Sequence, residues 1–155
     1  MSTTSLQAVP WPTLRQGHAN DQVQTAQYLL RERGHQIVAD KIFGPKTDAA
    51  VRAFQSTAHL TVDGIIGPRT WSALIVTVRR GSRGDAVRAV QVQGSIRHEP
   101  TPPAVDGIFG PVTESYVRRF QQVLSMRFPA DHVAVDGIVG PVTWHGFVAG
   151  IAELD

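Results

Sequence analysis

At 155 residues, 42% of them hydrophobic and with a formal net charge of +2, the chain has material for one or two small cores. The charge is too small for the concentrated basic face of a nucleic-acid partner, and no apolar run is long enough to span a membrane. The absence of cysteine excludes disulfides and thiolate metal sites, while the mild basic bias suits an anionic polymer.

Residues 1–13 form an N-terminal segment. Its start, Met1-Ser-Thr-Thr-Ser-Leu-Gln-Ala-Val-Pro10, has neither the basic residues nor the apolar stretch of a secretory leader. On that reading a signal was lost, the protein leaves the cell by another route, or it stays inside. Val23, Ala26, Leu29 and Leu30 then space one apolar stripe at helical intervals, predicting a helix from about Asp21 to Arg33 that Gly34 ends. A second helix is expected from Pro45 to about Ala58 on Ala50, Val51 and Phe54. A shorter third runs from Pro68 to about Val76, with Trp71 and Leu74. After a short join at Val76–Arg80 the series returns as Asp85–Ile96, Pro111–Met126 and Pro141–Ile151. No alternating strand pattern of useful length competes, so the fold class is all-α, two tandem three-helix domains joined by a short linker. The first covers residues 14–76 and the second 77–151.

One eight-residue phrase punctuates these helices four times. It reads Asp40-Lys-Ile-Phe-Gly-Pro-Lys-Thr47, Asp63-Gly-Ile-Ile-Gly-Pro-Arg-Thr70, Asp106-Gly-Ile-Phe-Gly-Pro-Val-Thr113 and Asp136-Gly-Ile-Val-Gly-Pro-Val-Thr143. A larger unit contains it twice. Leu14-Arg-Gln-Gly17 lies over Val78-Arg-Arg-Gly81 at an offset of 64, Val51-x-x-Phe54-Gln55 over Val117-x-x-Phe120-Gln121 at 66, and Thr70-Trp71 over Thr143-Trp144 at 73. The growing offset places an insertion of two residues around Arg97–Pro103 and one of seven around Ser125–His132 in the second copy.

The phrase is a helix starter by its chemistry. Asp-Gly favours a turn, Ile anchors the loop, Gly stands at the N-cap, and Pro follows where its missing N–H costs nothing. Structural capping is therefore the first account of these residues. The copies are unequal: Gly94 stands where the first half has Leu30, and His98-Glu-Pro-Thr-Pro-Pro103 makes a stiff loop. Glycine costs about 1 kcal/mol inside a helix, so a shorter first helix and an altered surface are expected in the second half.

The series Gly17, Val23-x-x-Ala-Gln27, Val51-x-x-Phe-Gln55, Val62-Asp-Gly-Ile-Ile-Gly-Pro-x-Thr-Trp71 and Leu74 resembles the peptidoglycan-binding domain family, the three-helix modules appended to bacterial and phage wall hydrolases. Val135-Asp-Gly-Ile-Val-Gly-Pro-Val-Thr-Trp144 closes a second likeness, and together the two span nearly the whole chain. The resemblance implies a shallow groove between helices that takes glycan or stem peptide. Its candidate contacts are Asp40, Arg52, Gln55, Asp63, Thr70 and Trp71, with counterparts Asp106, Arg118, Gln121, Asp136, Thr143 and Trp144. Each polar member has a competing reading as a cap or loop bond, and each tryptophan as core. Phe54 and Phe120 read as core outright.

Sharper chemistry finds little support. His59-x-x-x-Asp63 recurs as His132-x-x-x-Asp136, but two ligands per copy leave a zinc site short. Arg83-Gly84-Asp85 overlays Ala19-Asn20-Asp21 at a helix start, which makes capping its better account. No nucleophile elbow, zinc-protease helix or phosphate loop is present, and the aspartates sit in turn phrases rather than as an asymmetric acid/base pair. The expectation is a non-catalytic module without cofactor or metal that binds peptidoglycan and anchors itself, or a catalytic or delivery partner, at the cell wall or outside the cell. Neither nucleic acid nor membrane is expected as a partner. The alternative is a protein-binding adaptor in a secretion, phage-tail or injection assembly.

Overall fold

A computed structural model of the chain describes residues 4–152; Met1, Ser2 and Thr3 of the N-terminal reading lie outside them. Among the described residues there are six α-helices and no strand: α1 (Asp21–Glu32), α2 (Pro45–Thr57), α3 (Pro68–Leu74), α4 (Asp85–Ile96), α5 (Pro111–Arg127) and α6 (Pro141–Val148). Two short 3-10 turns, Leu6–Ala8 and Pro129–Asp131, complete the order.

Helix starts follow the phrase. Gly44, Gly67, Gly110 and Gly140 are the N-caps of α2, α3, α5 and α6, each followed by proline in the first turn. None offers a side chain to cap with, so proline's missing N–H removes one orphan donor at each start. α1 is capped by Asn20, whose side chain accepts from Val23 N at 3.0 Å. α4 has Gly84 in that place, and its cap comes from the other half. Glu32 at the end of α1 accepts from Ala86 N at 3.1 Å.

That contact is one end of the main helix pairing, α1 against α4. At the other end Gln93 Nε2 donates to Thr25 Oγ1 at 2.9 Å, both fully buried. The end of α1 thus meets the start of α4, and the helices run antiparallel. Val23, Ala26, Leu29 and Leu30 of α1 and Ala86, Val87, Ala89 and Val90 of α4 are all solvent-excluded. They belong to one hydrophobic cluster that takes in both halves. The stripe read from the sequence is therefore the seam between the halves as well as a core face.

The halves repeat in detail. Isolated antiparallel bridges tie Leu14 to Ile66 and Ala19 to Ile42 in the first, Val78 to Val139 and Arg83 to Ile108 in the second. Arg33 donates to the carbonyls of Ala73, Leu74 and Ile75 at the end of α3, with its guanidinium 5.7 Å from the Phe54 ring centre. Arg97 does the same for Gly146, Phe147 and Ile151 around the end of α6, 4.6 Å from the Phe120 ring centre. A cation on the last carbonyls of a helix satisfies orphan acceptors and favours the dipole.

Two features depart from expectation or extend it. α4 is not shortened by Gly94: it has 12 residues, as α1 has. A Cβ on Gly94 would stand 2.8 Å from Pro103 Cδ and 3.3 Å from Pro102 Cβ. The glycine makes room for the proline loop to pack on the helix. The seven-residue insertion lengthens α5 to 17 residues against 13 in α2 and adds the turn Pro129–Asp131. The N-terminal segment docks there. Ser5 Oγ donates to Asp131 Oδ1 at 2.6 Å and Leu6 N to Asp131 Oδ2 at 2.9 Å, with Leu6 in the core.

Candidate functional site

Each phrase is gathered around one buried glutamine from the preceding helix. Gln55 Nε2 donates to Asp63 Oδ1, Ile65 O and Thr70 Oγ1 at 3.0, 2.9 and 3.2 Å, and Gln55 Oε1 accepts from Asp63 N and Gly64 N. Gln121 does the same with Asp136, Ile138, Thr143 and Gly137. Gln91 holds Asp106, Ile108, Thr113 and Gly107. Gln27 holds Asp40, Ile42, Thr47 and the backbone N–H of Lys41. An amide is the right group, because it presents donor and acceptor together to a turn that needs both. Gln27 and Gln91 were absent from the candidate residues, although Val-x-x-apolar-Gln precedes every phrase: Val23 to Gln27, Val51 to Gln55, Val87 to Gln91 and Val117 to Gln121.

The turn needs a left-handed second residue. Gly64, Gly107 and Gly137 have φ of 73°, 76° and 77° there. A Cβ on Gly64 would also meet Asp48 and Arg52 side-chain atoms within 3 Å. Lys41 takes the same conformation in the first phrase at φ 69° and reaches Asp21 with its ammonium at 3.1 Å.

Within the clip the aspartate is fixed by one oxygen. Oδ1 of Asp63 also accepts from Ile65 N at 2.9 Å, and Asp40, Asp106 and Asp136 accept from Ile42, Ile108 and Ile138 in the same way. The Ile65 N–H, with the Gln55 amide, holds the Asp63 carboxyl below its ordinary value. The Ile42 N–H followed by Gln27 does so for Asp40, and the Ile108 N–H followed by Gln91 for Asp106. These carboxylates stay ionised at neutral pH. Among the described residues the hydrogen bonds from neighbouring residues to these carboxylates all reach Oδ1.

The other candidates brace the same loops. Arg52 pairs with Asp48 at 3.0 Å and donates to Asp63 O, while Arg118 donates to Val135 O at 3.1 Å. Trp71 and Trp144 are fully buried, so neither presents a ring face to solvent. Their indole N–H groups donate to Pro12 O and Val76 O, both at 2.8 Å, and so pin the strand of chain that enters each half. Phe54 and Phe120 are core.

Clip and helix start leave an open depression beside them. The one next to α3 has a volume of about 500 Å³ and is lined by the loop at 59–61, Asp63, Ile65 and residues 67–70. Its counterpart next to α6 holds about 310 Å³ and is lined by residues 131–134, Gln121, Asp136, Ile138 and 140–143. A third, beside α5, holds about 320 Å³ with Gln91, Asp106, Ile108, Thr113 and Pro103 in its wall. Of the candidates, Asp63 and Thr70 come together in the first, Gln121, Asp136 and Thr143 in the second, and Asp106 in the third. Arg52, Arg118, Trp71 and Trp144 lie outside them. The lip residues Thr61 and Arg69 carry no signal in the sequence reading, and His59 enters it only as half of the weak metal pair with Asp63. His59 and His132 are both left-handed, at φ 59° and 50°, and stand at matching corners of the first two depressions.

Comparison with known proteins matches the sequence of both halves to a family. Residues 19–74 and 83–145 match the family described as "Putative peptidoglycan binding domain". The zinc D-Ala-D-Ala carboxypeptidase of Streptomyces albus G is 34% identical over 91 residues, covering 58% of this chain and 34% of that protein. An uncharacterized protein in the bpoA1 3' region of Kitasatospora aureofaciens is 42% identical over 67 residues, covering 41% of this chain and 55% of that one. The chain thus spans about a third to about half of the length of these relatives. A solved peptidoglycan-binding protein from Clostridioides difficile, in complex with glutamine hydroxamate, is 41% identical over 41% of this chain and 40% of its own, with a TM-score of 0.40. With both segments matched, the chain belongs to the peptidoglycan-binding domain family and carries two tandem copies of the domain.

Proposed function

We propose that the chain is a non-catalytic module that attaches itself, or a partner, to bacterial peptidoglycan at the cell wall. The observation that carries this is the family match in both halves, together with equivalent open depressions beside α3 and α6. Depressions of this size and openness suit a peptide stem or a sugar, bound by a few fixed polar groups around an apolar floor. The four phrase aspartates support the non-catalytic reading. Each is committed through Oδ1 to a turn, and no two of them stand as an asymmetric acid/base pair across one cleft.

The test is co-sedimentation of the chain with insoluble peptidoglycan stripped of teichoic acids, over a salt series. Pelleting that survives moderate salt is expected. Folded protein that stays in the supernatant sinks the reading and favours the second one, a protein-binding adaptor of a secretion or phage assembly. That alternative has its own observation: Ile108, Val112 and Val142 stand well exposed around the depressions of the second half.

A further inference from the structure

Four copies of one turn, with one pattern of internal bonds, let the chain serve as its own comparison. The copies differ at the second residue of the phrase, at the buried fourth, and at the lip. The residue between proline and threonine is Lys46 and Arg69 in the first half, Val112 and Val142 in the second. Valine at these places shows that the fold does not require a cation there. Arg69 lines the depression beside α3, is exposed, and makes no hydrogen bond or ion pair among the described residues.

Asp63 lines the same depression. Its carboxylate is held in one orientation by Gln55 and Ile65 through Oδ1, with the Arg52 cation near enough to favour its charge, while Oδ2 accepts from no neighbouring residue among those described. A fixed acceptor and a free guanidinium therefore share about 500 Å³ of open space. A ligand with only a carboxylate would be repelled by Asp63, and one with only an amine by Arg69. A group bearing both charges satisfies both.

We infer that the depression beside α3 receives a zwitterionic amino-acid terminus, its ammonium on Asp63 and its carboxylate on Arg69. This rests on the wall-binding reading, because an uncrosslinked diamino-acid residue of a wall stem peptide ends in such a group. The depression beside α6 keeps the fixed carboxylate, Asp136, but presents Val142 where the carboxylate partner should be. It therefore lacks this selectivity, and the first half is the one that reads the peptide end. Charge-assisted contacts on a preorganised acceptor are the strong ones, and the fork of arginine suits a carboxylate.

The test is titration of the full chain with the tripeptide L-Ala-γ-D-Glu-meso-diaminopimelic acid, followed by calorimetry and by backbone NMR shifts around residues 59–70. Binding is expected to weaken at least about tenfold when the far amine of the peptide is acetylated, and equally in Arg69→Val. Val142→Arg is expected to raise the stoichiometry by one. No binding of the tripeptide, or an affinity unchanged by acetylation or by Arg69→Val, overturns the inference. Pelleting with whole peptidoglycan, run beside it, separates the two failures. A chain that pellets but ignores the tripeptide refutes this inference alone, and one that does neither refutes the wall reading too.

Discussion

The Trp11 ring lies flat on the His145 imidazole, centroids 4.4 Å apart and planes within 1°. The same imidazole donates through Nε2 to Val9 O at 2.7 Å, since a carbonyl can only accept. With Leu6 buried and Asp131 receiving Ser5 and Leu6, the N-terminal segment is a strap across the second half. It then delivers the chain to Pro12, the acceptor of Trp71 in the first half. Leu6→Ala is expected to cost about 2–4 kcal/mol in urea unfolding, as for other buried leucines. A loss below about 0.5 kcal/mol, the size of a surface change, would mean that the strap contributes nothing to the core.

The glutamine clips give a prediction that separates scaffold from ligand contact. Gln121→Leu leaves Asp136 N, Gly137 N and Ile138 O without their partner, the Gly137 N–H fully buried and the other two partly so. Each such orphan costs about 1–3 kcal/mol, so a loss of at least about 3 kcal/mol is expected, with Gln55→Leu behaving alike. If either variant kept its stability and lost only its pelleting with peptidoglycan, the glutamine would be a ligand contact and the clip incidental.

Helix identity and order were legible because the phrase marks each start and the apolar stripes each body; observed boundaries differ from the reading by at most a few residues. The repeat also located both insertions. What it could not show is what fills them. Leu6 and Trp11 have no periodic neighbours to mark them as core, and Asp131 carries no motif. Arg33 and Arg97 looked like ordinary charged residues near helix ends, yet both cap a helix far along the chain. At the site, Asp63 and Thr70 could be named because they repeat. Arg69 carries no such signal, since it occupies one of the three places where the phrase varies.

Gly94→Ala sets helix propensity against packing. Alanine gains about 1 kcal/mol in a helix interior. Its Cβ would stand 2.8 Å from Pro103 Cδ, and proline rings have little freedom to yield. Overpacking of this kind costs about 1–3 kcal/mol, so a net loss of stability is expected by urea unfolding. A more stable variant would show that the proline loop moves off the helix without penalty.

Acid sensitivity follows from the clips. Asp40, Asp63 and Asp106 are held below the ordinary value of 3.8 mainly by the backbone N–H two residues on, and Asp131 by the Ser5 hydroxyl and Leu6 N–H. A carboxyl lowered on folding adds stability that is present above its unfolded value and lost as pH falls through the folded one. The urea midpoint is therefore expected to be nearly flat from about pH 7 to about pH 5, and to fall steeply below about pH 4. Asp63→Asn supplies the control. It removes one of these protons, so the variant should be less stable at neutral pH and lose less on acidification than the parent. Equal acid limbs in the two proteins would mean that Asp63 makes the same bonds whether or not it is charged, and that its oxygen is held by shape alone.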